Sequence, residues 1–165
     1  MSGRGSHLLV GIGSPFGDDR LGWLVVGEIE RRGGSDAHTR CARAPADLLD
    51  WLEGVDRLVV CDACHGGGPA GSWRRFDWPT TLLDDVAFCG THDLSLAATL
   101  ALAEQLGLLP KETTIWGLTV ERNSPVVASI GDNRGDPAIE SDLSPPVRSA
   151  LASFVAVIER DLSHA

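Results

Sequence analysis

Apolar positions along the chain fall into two rhythms, one of short continuous runs and one of helical spacing. Residues 7–11 form a short run, mostly apolar, ending in glycine, the pattern of a buried strand. Leu21, Leu24, Val25 and Ile29 then recur at the spacing of one helix face. Arg31-Arg32-Gly33-Gly34 closes that helix with cations and then glycine. Between strand and helix, Gly11-Ile12-Gly13-Ser14-Pro15-Phe16-Gly17-Asp18-Asp19 reads as a loop. Its two acids suit the positive end of the helix that follows.

Residues 37–44 alternate weakly and make a second strand. Pro45 opens a short helix with Leu48, Leu49 and Leu52 on one face and Gly54 after it. The segment RLVVCD at 57–62 is the clearest buried strand, and the glycine-rich residues 65–71 follow as a loop. Residues 72–78 mix Trp73, Phe76 and Trp78 with Arg74 and Arg75, as a more exposed strand would. Gly90-Thr91-His92-Asp93 leads into a helix reaching Leu106, with Thr91 or Asp93 as its cap. Residues 113–120 are rich in β-branched side chains and read as a strand. Residues 123–146 are rich in Pro, Gly, Asp, Asn and Ser, a long loop. Val147, Leu151, Phe154, Val155, Ile158 and Leu162 mark a final amphipathic helix.

The order is β-α-β-α-β-β-α-β-α. Such alternation implies helices on both faces of a mostly parallel sheet. The link between the third and fourth strands is too short for a helical crossover, so an antiparallel strand is expected there. With no repeat and no linker, residues 1–165 are expected to form a single domain.

Composition narrows the function. Hydrophobic residues make up 43 %, enough for a sizeable core, and the formal net charge is −9. That balance argues against a nucleic-acid partner, which calls for a basic surface. The most apolar helix candidate, residues 94–109, is interrupted by Glu104 and Gln105 and is too short to span a bilayer. No membrane association is therefore expected. The N-terminal apolar run is below signal-peptide length, so a cytoplasmic protein with four reduced thiols is expected.

Asp19, Asp62 and His92 each fall where a strand has just ended or a helix is about to begin. In an open α/β sheet those loops converge on one crevice. Two carboxylates and an imidazole meeting there would suit a hard-to-borderline divalent cation. Taken singly, each has a plainer use: a helix-capping acid, a turn-capping acid, a surface histidine. Their shared placement is what carries the chemistry.

Other patterns carry less. Gly11-x-Gly13-x-x-x-Gly17 has its third glycine one place late for a dinucleotide fingerprint, and Asp18 and Asp19 would repel a phosphate. Cys61-Asp62-Ala63-Cys64-His65 matches a haem-attachment spacing but lies on a buried strand, where Cys61 and Cys64 face opposite sides. There is no G-x-S-x-G elbow.

Four segments in order, GIGSPFGDDRLG, RLVVCDACHGGGPAG, GTHDLSLAATLALAEQLG and TTIWGLTVE, closely resemble the hydrogenase maturation endopeptidases. The resemblance runs from His7 to the final helix and includes Leu143-Ser144-Pro145 before it. It departs from the family pattern at Ser14, where asparagine is usual, at Arg20-Leu21-Gly22, and at Gly117-Leu118-Thr119-Val120-Glu121.

The resemblance implies a three-layer α/β/α sandwich with a five-stranded sheet. It implies an endopeptidase that removes the C-terminal extension of a [NiFe] hydrogenase large-subunit precursor after nickel insertion. Asp19, Asp62 and His92 would be both catalytic residues and metal ligands, with Asp18 a neighbour and not a primary ligand. Nickel would be presented by the precursor, other divalent metals could substitute, and the protease would be a monomer. A non-cleaving chaperone that holds nickel or the precursor would use the same ligands.

Overall fold

Side-chain direction alternates along a strand, so one buried strand can serve two cores. The computed structural model describes residues 6–90, 93–122 and 143–164. Its elements are β1 (His7–Ile12), α1 (Leu21–Arg32), β2 (His38–Ala42), β3 (Arg57–His65), β4 (Trp73–Asp77), β5 (Ala87–Phe88), α2 (Leu96–Gln105), β6 (Glu112–Thr119) and α3 (Pro145–Ser163). The sheet runs β2-β1-β3-β6-β4, with β5 paired to β3. β1 is parallel to β2 and β3, and β3 to β6, while β4 on β6 and β5 on β3 are antiparallel.

Leu9, Val59, Cys61, Ala63, Trp116 and Leu118 project from one face and pack with Val25 and Ile29 of α1 and Phe154, Val155 and Ile158 of α3. Leu8, Val10, Leu58, Val60 and Ile115 project from the other and pack with Leu48, Leu52 and, on α2, Leu96 and Leu100. This is the mixed α/β architecture expected, with helices on both faces, but among the described residues the sheet has six strands and not five, the short β5 being the addition.

Several local expectations change. β3 continues past Asp62 to His65, because Ala63 and Cys64 pair with Leu118 and Thr119 of β6 while Cys64 and His65 pair with Phe88 and Ala87 of β5. The two-residue β5 has no periodic signature to read. The antiparallel strand β4 pairs with β6 and not with β3. The segment expected as a short helix is a 3₁₀ turn, Pro45–Asp50. α2 starts later than expected and is capped by Ser95, whose hydroxyl accepts from Ala98 N at 3.2 Å, not by Thr91 or Asp93. α3 starts at Pro145, inside the expected loop, in keeping with proline's fixed φ at a first helical turn. The rest of that loop, 123–142, lies outside the described residues. Gly33 ends α1 as expected, at φ 63°, its N–H reaching Ile29 O and Glu30 O. Among the described residues no helix is long and apolar enough to cross a membrane.

α3 is fastened to the sheet near its carboxyl end. The guanidinium of Arg57, at the start of β3, donates to Asp161 O at 2.8 Å and Asp161 Oδ1 at 2.9 Å. Trp116 Nε1 donates to Asp161 Oδ2 at 2.9 Å. Arg57 is buried, so these bonds satisfy a charge that would otherwise be expensive there.

α1 is fastened by close backbone approach. A Cβ added at Gly11 would lie 2.0 Å from Gly22 O, and one at Gly22 would lie 2.2 Å from Ile12 O and 2.9 Å from Cys61 O. Only two residues without side chains let helix and strands come this near. Gly22→Ala is expected to lower stability by about 2–3 kcal/mol through overpacking against backbone that cannot yield. Gly27→Ala, on the same helix with nothing within 4 Å of the added methyl, is expected to raise it by about 0.5–1 kcal/mol. Urea unfolding of the two variants side by side measures both shifts.

Candidate active site

The parallel strands β1, β3 and β6 all end on one side of the sheet, and the loop after β1 returns across that end. Gly13 N and Trp23 Nε1 both donate to Ala42 O, at 3.0 Å and 2.8 Å, which pins the loop to the end of β2. Ser14 N donates to Asp19 O at 3.0 Å and closes the loop on itself. Asp18 and Asp19 lie in a 3₁₀ turn, Gly17–Arg20, just before α1.

In a 3₁₀ turn successive side chains diverge by about 120°. The two acids accordingly serve different elements. Asp18 is buried and accepts two bonds from Ser144, from N to Oδ1 at 2.7 Å and from Oγ to Oδ2 at 2.7 Å. Ser144 is the N-cap of α3, so the Asp18 carboxylate sits at that helix's positive end. The sequence suggested that both acids favour the start of α1; the helix that Asp18 serves is α3, 126 residues away. The signal available in the sequence was Ser144 before Pro145-Pro146, a helix start without a stated partner.

Asp19 is half-buried, and its charge acts on Asp62. Asp62 lies inside β3, three residues short of the strand's end, in register with Gly117 of β6. It is 1 % exposed. Its Oδ1 accepts from Ala63 N at 2.7 Å, and among the described residues nothing donates to Oδ2. Burial first, then the charge of Asp19, push the Asp62 carboxyl well above the usual carboxylate range, while the Ala63 bond works the other way. A buried carboxylate oxygen lacking a donor, with a second acid in electrostatic reach, is suited to receive a cation or to carry a proton.

Of the three expected site residues, Asp19 and Asp62 thus lie within electrostatic reach of each other. His92 lies outside the described residues. Among the described residues no three His, Cys, Asp or Glu side chains form a group able to hold a metal. Cys61 and Cys64 belong to opposite cores, as the strand alternation requires, so the C-x-x-C-H run does not form one chelate. What the sequence reading missed is the partner of the following residue: His65 faces Cys89, with Nε2 3.4 Å from Sγ.

The model of the hydrogenase maturation protease family matches residues 43–161, a span that includes Asp62 and His92 and begins after Asp19. The chain belongs to the hydrogenase maturation protease family, a class of processing endopeptidases. No curated protein sequence matches it. Its fold is similar to that of the hydrogenase maturating endopeptidase HybD from E. coli, at TM-score 0.69 and 19 % identity over 96 % of this chain and 92 % of that one. It is similar to the [NiFe] hydrogenase maturation protease HybD from Thermococcus kodakarensis, at TM-score 0.66 and 16 % identity over 95 % and 99 %. It is also similar to the [NiFe] hydrogenase maturation protease HycI from Thermococcus kodakarensis KOD1, at TM-score 0.66 and 21 % identity over 99 % and 96 %.

Two stability measurements separate the roles of the acids. The unfolded Asp62 carboxyl titrates near its ordinary 3.8 and the folded one well above it. As pH rises past the unfolded value, the unfolded chain sheds a proton that the folded chain keeps. Stability is then lost at about 1.4 kcal/mol per pH unit until the folded group ionises. Asp62→Asn removes that loss. Its melting temperature is expected to exceed the wild type's by several degrees at neutral pH, with the gain vanishing as pH falls to 3.8. Asp18→Ala instead is expected to lower stability by about 2–3 kcal/mol at neutral pH, since it strips Ser144 of charge-assisted bonds. Thermal melts across pH test both.

Proposed function

We propose that this protease removes the C-terminal extension of a [NiFe] hydrogenase large-subunit precursor once nickel has been installed, with Asp19, Asp62 and His92 as the residues that meet the precursor's nickel. The observation that carries this reading is the Asp62 carboxylate, buried, lacking a donor for Oδ2 among the described residues, and coupled to Asp19. Two anionic oxygens and a neutral imidazole are a donor set for a borderline divalent cation. Nickel is then cargo of the substrate and not a resident of the protease, and the protein acts as a cytoplasmic monomer.

The chemistry follows from the state of Asp62. Without a cation, burial first and then the charge of Asp19 favour the protonated form of Asp62. A divalent charge brought to the pair would favour the ionised form of both carboxyls. Nickel would supply Lewis-acid polarisation of the scissile carbonyl or of a water. Asp62, already tuned upward, would take the proton of the attacking water and pass it to the departing amine. Binding through the metal also fixes the peptide bond relative to these groups, so a precursor lacking nickel loses both positioning and activation.

The test is incubation of purified protease with nickel-bearing and nickel-free precursor, read by gel mobility of the large subunit. Wild type is expected to shorten only the nickel-bearing form. Asp19→Asn, Asp62→Asn and His92→Ala are each expected to slow the shift at least about a hundredfold, the scale of losing a group that acts in the transition state. Normal processing by any of the three refutes the site. A stable complex with unshortened precursor would establish the holding function in place of cleavage.

A further inference from the structure

His65 follows Ala63 by two along β3 and so shares its face of the sheet. Ala63 belongs to the α1/α3 core, and the half-buried Cys89 packs against that same core. Three backbone segments fix the pair. Cys89 N donates to Ala63 O at 2.9 Å, Val120 N donates to Cys64 O at 2.8 Å, and β5 pairs with the end of β3.

The ring of His65 has a determined orientation. Its Nδ1 stands 3.1 Å from Val120 O. A carbonyl only accepts, so Nδ1 carries the hydrogen, and Nε2 of the neutral ring keeps its lone pair. That lone pair faces Cys89 Sγ at 3.4 Å. A metal–sulfur bond of about 2.3 Å and a metal–nitrogen bond of about 2.0 Å at a tetrahedral angle set their donors about 3.5 Å apart. The observed separation therefore already matches the bite of a four-coordinate cation. A histidine that anchors its far nitrogen on a carbonyl is also the usual preparation for metal ligation.

A nucleophilic thiol with histidine as its base would use the same two residues. The surroundings oppose it: burial, then the charges of Asp62, Asp19 and Asp18, act against a free thiolate at Cys89. The same charges favour a cation.

We propose that Cys89 and His65 form an open two-donor site for a borderline divalent transition-metal cation, sharing no ligand with the carboxylate pair. On binding, the thiol proton leaves to water as the metal–sulfur bond forms, Nε2 contributes its lone pair, and no oxidation state changes. Among the described residues no further His, Cys, Asp or Glu completes the set, and two protein donors leave positions open to water. The inference does not rest on the endopeptidase reading.

Cobalt(II) alone, titrated anaerobically into the full chain, tests it. Wild type is expected to show a thiolate-to-cobalt charge-transfer band in the near ultraviolet. Cys89→Ser is expected to abolish the band, and His65→Gln to weaken the apparent affinity about tenfold or more. Cys41→Ser and Cys64→Ser are expected to retain it. On unmodified protein, saturating cobalt(II) is expected to shield Cys89 from iodoacetamide, mapped by peptide mass. A wild type without the band, a band that survives Cys89→Ser, or Cys89 alkylation unaffected by cobalt(II) would overturn the proposal.

Discussion

The contact between Gly11 of β1 and Gly22 of α1 governs the placement of the loop that carries Asp18 and Asp19. Added methyls there would collide with carbonyl oxygens at 2.0 Å and 2.2 Å. Because neither residue has a side chain, α1 lies directly on β1 and against Cys61 of β3. The loop between β1 and α1 is thereby drawn over the ends of the strands instead of extending into solvent. Asp19 arrives within electrostatic reach of Asp62 as a consequence of backbone packing, not of any attraction between them. Two acids repel, so the fold must impose their proximity, and a close glycine contact is a rigid means of doing so.

That proximity is unfavourable to stability. Asp62 is buried beside a like-charged group, and one of its oxygens has no donor among the described residues. The structure offsets this with two fastenings of α3, from Asp18 to its N-cap at one end and from Arg57 and Trp116 to Asp161 at the other. Together with Phe154, Val155 and Ile158 they hold α3 and α1 on the same face of the sheet. Stabilising interactions placed around a destabilised group are the usual form of a stability–activity trade-off.

Much of this was legible in the sequence, for specific reasons. The continuous run at 57–62 marked the central strand because a strand covered on both faces must be apolar at every position. Leu21, Val25 and Ile29 marked α1 because a helix on a sheet buries one stripe. Asp62 was conspicuous because a carboxylate in such a run demands a reason. The rest was hidden because it depends on partners distant in sequence. The extension of β3 to His65 is created by β5, two residues too few to show a period. Ser95 caps α2 in competition with Thr91 and Asp93, and nothing local ranks the three. The family resemblance set Asp19 apart from Asp18, but the structural task of Asp18 depends on Ser144, far away in sequence.

The separation of those adjacent acids also says how the candidate site stays organised. Asp18 has both oxygens committed to Ser144, so it is a poor metal ligand and a good strut. Asp19, one residue on, is held through its backbone by Ser14 and leaves its carboxylate to act on Asp62. A single 3₁₀ turn thus carries a fixed anchor and a candidate site acid side by side. Movement of Asp19 toward a cation would strain a turn whose neighbouring residue is bonded to the N-terminus of a 19-residue helix. The acid pair is therefore preorganised by a helix that contributes no carboxylate to it, and the end of α3 supports the candidate site mechanically although not chemically.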